Sequence, residues 1–125
     1  MTTMLIVDDE LDMRMLVRLV IEMANNGLTI VGEAADGTEA LQVWRDLDGP
    51  PVPDVVILDN RMPELSGLEV AAQILEERPS QLIMLYSAFL DDTVRARAEE
   101  IGITACVSKH ELEQLPALVR DLTAR

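Results

Sequence analysis

Asp8 and Asp9 close the apolar run Met4-Leu5-Ile6-Val7, and Asp59 closes the run Val55-Val56-Ile57-Leu58. Apolar runs this short, bounded by turn signals, fit strands covered on both faces of a parallel sheet. Ligands of such sheets gather outside the carboxyl ends of the strands. Three carboxylates placed there repel one another unless a cation or a proton sits between them. Two more polar groups close apolar runs, Ser87 after Leu82–Tyr86 and Lys109 after Thr104–Val107 and Ser108. The carboxylates form a hard oxygen donor set suited to Mg²⁺, which usually keeps waters and borrows phosphate oxygens from a substrate. Lys109 supplies a mobile point charge that can reach a phosphoryl oxygen, and Ser87 a hydroxyl that can bond another. Asp59 is left as the nucleophile, as in aspartyl-phosphate chemistry. A metal and an ammonium together would offset the charge of an incoming phosphoryl group.

The elements that must position these groups alternate along the whole chain. Met4–Val7 reads as the first strand. Asp12–Ala24 reads as a helix, with Leu16, Val17, Val20, Ile21 and Ala24 at helical spacing. Asn25-Asn26-Gly27 ends it, with the glycine as a left-handed cap. Leu28–Ala35 is the second strand, broken by Asp36-Gly37. A helix over Gly37–Leu47 places Ala40, Leu41, Trp44 and Leu47 on one face, and Gly49-Pro50-Pro51-Val52-Pro53 reads as a stiff surface connection. Asp54–Leu58 is the third strand. After a loop from Asn60 to Ser66 comes a helix over Gly67–Glu77. Leu82–Tyr86 is the fourth strand, Asp91–Ile101 the fourth helix with Gly102 as its cap, and Thr104–Val107 the fifth strand. The last helix starts near Leu115, because Pro116 suits a first-turn position, and His110–Gln114 forms a loop or a separate turn. The pattern is (βα)₅ with short connections. It predicts an α/β fold, a doubly wound five-stranded parallel sheet with helices on both faces and right-handed crossovers.

Bulk properties fit one domain over residues 1–125. The hydrophobic fraction is 49%, that of a globular chain. No apolar stretch reaches the ~18 residues needed to span a bilayer. No basic segment, apolar stretch and small-residue cleavage site open the chain, so the expected location is cytoplasmic and no membrane partner is expected. The single Cys cannot form an internal disulfide, which fits a reducing compartment. Net charge is −13, from 23 acidic and 10 basic residues. That field repels a phosphate backbone, so this segment is not expected to bind nucleic acid directly.

With these residues in view, the chain resembles the receiver (phosphoacceptor) domain of bacterial two-component response regulators. The matching stretches are Val7-Asp8-Asp9-Glu10, Asp59-Asn60-Arg61-Met62-Pro63-Glu64-Leu65-Ser66-Gly67, Tyr86-Ser87-Ala88 and Ser108-Lys109. The second fits the family's D-x-x-M-P-x-x-x-G signature, and the resemblance covers essentially the whole chain. It implies a flavodoxin-like sheet of strand order 2-1-3-4-5. It implies that Asp59 accepts a phosphoryl group from a phosphohistidine on a sensor histidine kinase or phosphotransfer protein. Asp9, Asp59 and the backbone carbonyl of Arg61 would bind Mg²⁺ directly, and Asp8 would act through a metal-bound water. Ser87 would move toward the phosphoryl group, Lys109 would contact the acyl phosphate, and Ala88 leaves room beside them. The family acts as a switch that phosphorylates and dephosphorylates itself, so no separate substrate turnover is expected. The output would be a downstream protein or a fused output domain, either from a stand-alone regulator or as the receiver segment of a longer DNA-binding regulator. A phosphorylation-dependent homodimer through the fourth and fifth helices is a further expectation of the resemblance.

Some positions depart from the family pattern. Cys106 stands where an aromatic switch residue is usual, and His110 where Pro is common. Cys106 is expected to fill space in the strand, with redox sensing as the alternative. His110 is expected to be an ordinary exposed histidine. Arg61 and Phe89 flank the expected phosphoryl pocket, as plain loop residues or as a shield over it. Trp44 is expected in the core, and Met13, Met15 and Met23 as flexible packing, with Met23 available for kinase docking. Glu99, Glu100, Glu111 and Glu113 are expected on solvated faces. Three rival readings remain. An Asp-nucleophile phosphatase would show D-x-D, but the sequence reads Asp59-Asn60-Arg61. A flavin or nucleotide module would show a G-x-G-x-x-G, a Walker lysine loop or a Ser/Thr-rich phosphate loop after the first strand, and the sequence has none of these. A degenerate receiver acting by binding alone conflicts with the intact acidic set, Ser87 and Lys109.

Overall fold

A computed structural model describes residues 2–24, 27–47 and 53–124. They form β1 (Thr2–Val7), α1 (Leu11–Ala24), β2 (Leu28–Ala34), α2 (Gly37–Asp46), β3 (Val55–Asp59) and α3 (Gly67–Glu77). Then follow β4 (Leu82–Ser87), α4 (Asp92–Ile101), β5 (Ala105–Ser108), a 3-10 helix (Lys109–Gln114) and α5 (Leu115–Thr123). The sheet order is β2-β1-β3-β4-β5 and every pair is parallel. This is the doubly wound, flavodoxin-like α/β fold, with the expected strand order. The expected connection Gly49–Val52 lies outside the described residues.

Local chemistry explains the element boundaries. Ser66 caps α3 reciprocally: its hydroxyl accepts from Glu69 N–H at 3.2 Å, and the Glu69 carboxylate accepts from Ser66 N–H at 3.2 Å. Asp36 caps α2 by accepting from Glu39 N–H at 2.7 Å. Asp91, expected inside the fourth helix, instead caps it and accepts from Val94 N–H at 2.8 Å. Asp54, expected in β3, stands just before it and its carboxylate accepts from Thr3 N–H at 2.8 Å. Gly102 caps α4 in the left-handed backbone that the position requires, with φ of 103°, and Gly27 before β2 is also left-handed, with φ of 84°.

Every residue of β3 is buried, as befits a central strand covered on both faces. Alternation then sorts the side chains into two cores. Leu5, Val7, Val56, Leu58, Ile83 and Leu85 pack with α2, α3 and α4 residues, Trp44 among them. Met4, Ile6, Ile57, Met84, Tyr86 and Val107 pack with residues of α1 and α5. At the amino edge of the sheet Trp44 Nε1 donates to Gln81 Oε1 at 3.0 Å, and Gln81 Nε2 donates to the Pro53 and Leu82 carbonyls, each at 3.1 Å.

The first helix corrects one expectation. Only Val17 and Ile21 are buried on it, while Met15 and Met23 are exposed rather than packed. Leu11, Met15, Leu19 and Met23 recur every four residues and so share an outward stripe. The apolar residues of α1 cover more than the face one sheet can bury.

Candidate functional site

The carboxyl ends of β1, β3, β4 and β5 bring the sequence-predicted groups together. Asp8 and Asp59 are buried, 0% and 2% exposed. Lys109 Nζ lies 3.0 Å from Asp8 Oδ2 and 3.3 Å from Asp59 Oδ1, so one ammonium bridges two strand ends. Asp8 Oδ1 accepts from Glu10 N–H at 2.9 Å, and Asp8 Oδ2 also accepts from the Tyr86 hydroxyl. The Arg14 guanidinium donates to the Asp8 carbonyl at 2.6 Å and to Glu33 at 3.1 Å, tying the first turn of α1 to the loop that carries the acids.

Above these groups opens a cleft of about 310 Å³, lined by Asp9, Glu10, Asp59, Arg61 and, opposite, Ser87 to Phe89 with Lys109. Arg61 N–H lies 3.4 Å from Asp59 Oδ1. The Arg61 guanidinium sits over the Phe89 ring, 4.4 Å from its centre, so the two exposed side chains close one lip. The Ser87 hydroxyl is held by the Phe89 backbone: it accepts from Phe89 N–H at 3.2 Å and donates to Phe89 O at 3.3 Å.

The electrostatics follow from burial and crowding. Burial first, and the Asp8 charge second, push the Asp59 carboxyl up to about 6, with Lys109 opposing. Burial pulls the Lys109 ammonium down, but Asp8 and Asp59 outweigh it and hold Lys109 above its ordinary value. Burial and the bond to Asp8 hold the Tyr86 hydroxyl well above the usual tyrosine range.

Asp8, Asp9 and Glu10 place carboxylate oxygens within 4.8 Å of one another. The donors are all hard oxygens, and a carboxyl whose proton affinity is raised stands beside them. That set fits Mg²⁺ or a similar hard cation and not a soft one. Two residues here escaped the sequence reading. Glu10 adds a fourth acid to Asp8, Asp9 and Asp59, and the signal was its place directly after Asp8-Asp9. Tyr86 is the chain's single tyrosine, and the signal was a hydroxyl-bearing ring at the end of the apolar run Leu82-Ile83-Met84-Leu85.

The residues outside the cleft bear out several expectations. His110, Glu99, Glu100, Glu111 and Glu113 are exposed, and Trp44 is 3% exposed in the core. Cys106 is half-buried against the core that faces α2 to α4, and burial pushes its thiol up. That disfavours the reactive thiolate and favours space filling.

The chain is thus one of the doubly wound α/β class, with buried acids and a bridging lysine at the carboxyl edge of its sheet. Within that class, the profile of the response regulator receiver domain matches residues 4–120, and the chain belongs to this family. It is 37% identical over 102 residues to the transcriptional regulatory protein YdfI of Bacillus subtilis, covering 82% of this chain and 45% of YdfI. It is 36% identical over 120 residues to the chemotaxis protein CheY of Listeria monocytogenes, covering 92% of this chain and 96% of that protein. The signal receiver domain of the putative response regulator NarL from Mycobacterium tuberculosis superposes with a TM-score of 0.88 at 26% identity, over 98% of this chain and 96% of that one. The chain thus spans about half the length of YdfI and nearly all of CheY. It is a receiver domain of two-component signal transduction, of a kind found both fused and stand-alone. Among the described residues no helix is long and apolar enough to cross a membrane.

Proposed function

We propose that this receiver takes a phosphoryl group onto Asp59 from a phosphohistidine on a sensor histidine kinase or phosphotransfer protein. The observation that carries the reading is the position of Asp59: buried at the base of the cleft, 3.3 Å from Lys109 and beside an acidic cluster. A carboxylate oxygen of Asp59 attacks phosphorus, the P–N bond to the imidazole breaks, and the electron pair leaves with the ring nitrogen. Lys109, already bridging Asp8 and Asp59, is within reach of an oxygen of the arriving group. Asp8, Asp9, Glu10 and Asp59, with the Arg61 carbonyl, would hold Mg²⁺. When bound, the ion supplies positive charge against the phosphoryl oxygens.

Ser87 must release the Phe89 backbone before its hydroxyl can meet the phosphoryl group, which makes the segment Ser87–Phe89 the moving part. Arg61 and Phe89, stacked at the lip, restrict water at the bond to Asp59. The outward apolar stripe of α1 supports docking of the phosphodonor there. Output passes by altered protein contacts, to a separate protein or to a fused domain, and cytoplasmic location follows from this role. The test is labelling with acetyl phosphate and Mg²⁺, followed by intact mass. Wild type gains one phosphoryl group and Asp59→Asn gains none; full labelling of the variant would overturn the assignment.

A further inference from the structure

Asp8 cannot turn freely. Its side chain is fully buried, and a carboxylate offers about four lone-pair positions. Glu10 N–H occupies one on Oδ1, while Lys109 and the Tyr86 hydroxyl occupy Oδ2. What remains is on Oδ1, the oxygen on the Glu10 side. Tyr86 also touches the second partner, because Lys109 Nζ lies 5.0 Å from the centre of its ring. The ring itself is 1% exposed and wedged in the core between the sheet and α1 and α5, so the hydroxyl has a fixed origin. Asp59 and Tyr86 are register partners on neighbouring strands, which sets Tyr86 beside the proposed phosphoacceptor. It lies in β4, next to Ser87.

We propose that Tyr86 is a positioning residue of this site: its hydroxyl fixes the orientation of Asp8, and through Asp8 the affinity for the divalent cation, while its ring steadies Lys109. The inference rests on the Asp59 reading and adds a residue that reading does not contain. Hydrogen-bond partners of carboxylates around a metal commonly govern its affinity by ~10–100-fold. Tyr86 acts by holding Asp8 and is not itself a ligand.

Tyr86→Phe keeps the ring over Lys109 and removes only the hydroxyl. By calorimetry without phosphodonor, this variant should bind Mg²⁺ about tenfold more weakly than wild type. The Mg²⁺ concentration giving half-maximal acetyl phosphate labelling should rise by the same factor, while the rate at saturating Mg²⁺ stays close to that of wild type. An unchanged Mg²⁺ affinity overturns the proposal, as does a lower saturating rate with no shift in half-saturation. The single tyrosine gives a second readout that needs no variant. Its near-ultraviolet difference spectrum in wild type should saturate at the Mg²⁺ concentration that calorimetry reports, and a flat spectrum overturns the proposal even where Tyr86→Phe does not fold. If wild type labels on Asp59 while the variant titrates like it, this inference alone falls. If Asp59→Asn labels like wild type, the reading beneath it falls.

Discussion

Gly67 stands at the first position of α3, directly against the end of β3. A Cβ built there would lie 2.3 Å from the Asp59 carbonyl oxygen, 2.8 Å from Asn60 Cα and 2.9 Å from the Asp59 carbonyl carbon. All three are backbone atoms, so no change of rotamer relieves the clash. Restoring even a tight 3.0 Å contact moves the helix start and the strand end apart by about 0.7 Å. The Gly67 N–H donates to Asn60 O at 2.9 Å and resists that movement. Gly67→Ala should therefore sit at the upper end of overpacking costs, about 2–3 kcal/mol. For a domain of this size that lowers Tm by roughly 6–12 °C. The displaced strand end carries Asp59, and misplacing a reacting group by about 1 Å can cost ~100-fold in rate, so labelling by acetyl phosphate should slow at least about tenfold.

Gly102→Ala is the comparator. It strains a left-handed cap with φ of 103°, but its Cβ meets only Leu75 Cδ1 at 3.5 Å. It should cost about 1 kcal/mol and leave labelling unchanged. Urea melts and labelling rates of both variants settle the matter. If Gly67→Ala melts and labels like wild type, or if Gly102→Ala slows labelling equally, the steric account is wrong.

Two further outcomes follow from the geometry. Asp59 has its pKa raised to about 6, so the stability of its protonated form is full below about 4 and is lost as pH rises through about 6. The rise from the ordinary aspartate value sets a ceiling near 3 kcal/mol, and water in the cleft reduces this to about 1–2 kcal/mol. Without divalent cations, the stability of Asp59→Asn relative to wild type should rise by that amount between pH 4 and pH 7.5; a constant difference in chemical melts would contradict it. At the opposite sheet edge, Gln81→Ala leaves Trp44 Nε1 and the Pro53 and Leu82 carbonyls without the amide. It should cost about 2–4 kcal/mol and shift the emission of the single tryptophan, and a neutral melt would show that water replaces the amide.

The strand ends were legible because covered parallel strands read as unbroken apolar runs, so Val7, Leu58 and Tyr86 each mark where polar chemistry begins. Boundaries were less legible where a residue serves the element without joining it, as Asp91 does in capping α4 and Asp54 in bonding Thr3. Thr2 and Thr3 join β1 through pairing with Leu28 and Thr29, a contact no local pattern reveals. Strand order came from family resemblance, because apolar periodicity does not say which strands are neighbours. The bond from Tyr86 to Asp8 was hidden for the same reason. The two residues are 78 positions apart, Tyr86 in β4 and Asp8 just past the end of β1 with β3 between those strands, and only order, register and facing together make them meet. Met15 and Met23 were misread because helical spacing identifies a face without saying whether anything covers it.

Among the described residues, the two cores on either side of the sheet share no side chain. Strand alternation enforces that separation, since neighbours along a strand point to opposite layers. Substitutions in separate layers should combine additively, within about 0.5 kcal/mol when far apart. Sequence drift in one layer therefore leaves the other nearly untouched. The helices on one side can diverge while those on the other stay as they are, and the two outer faces of the domain can evolve one at a time.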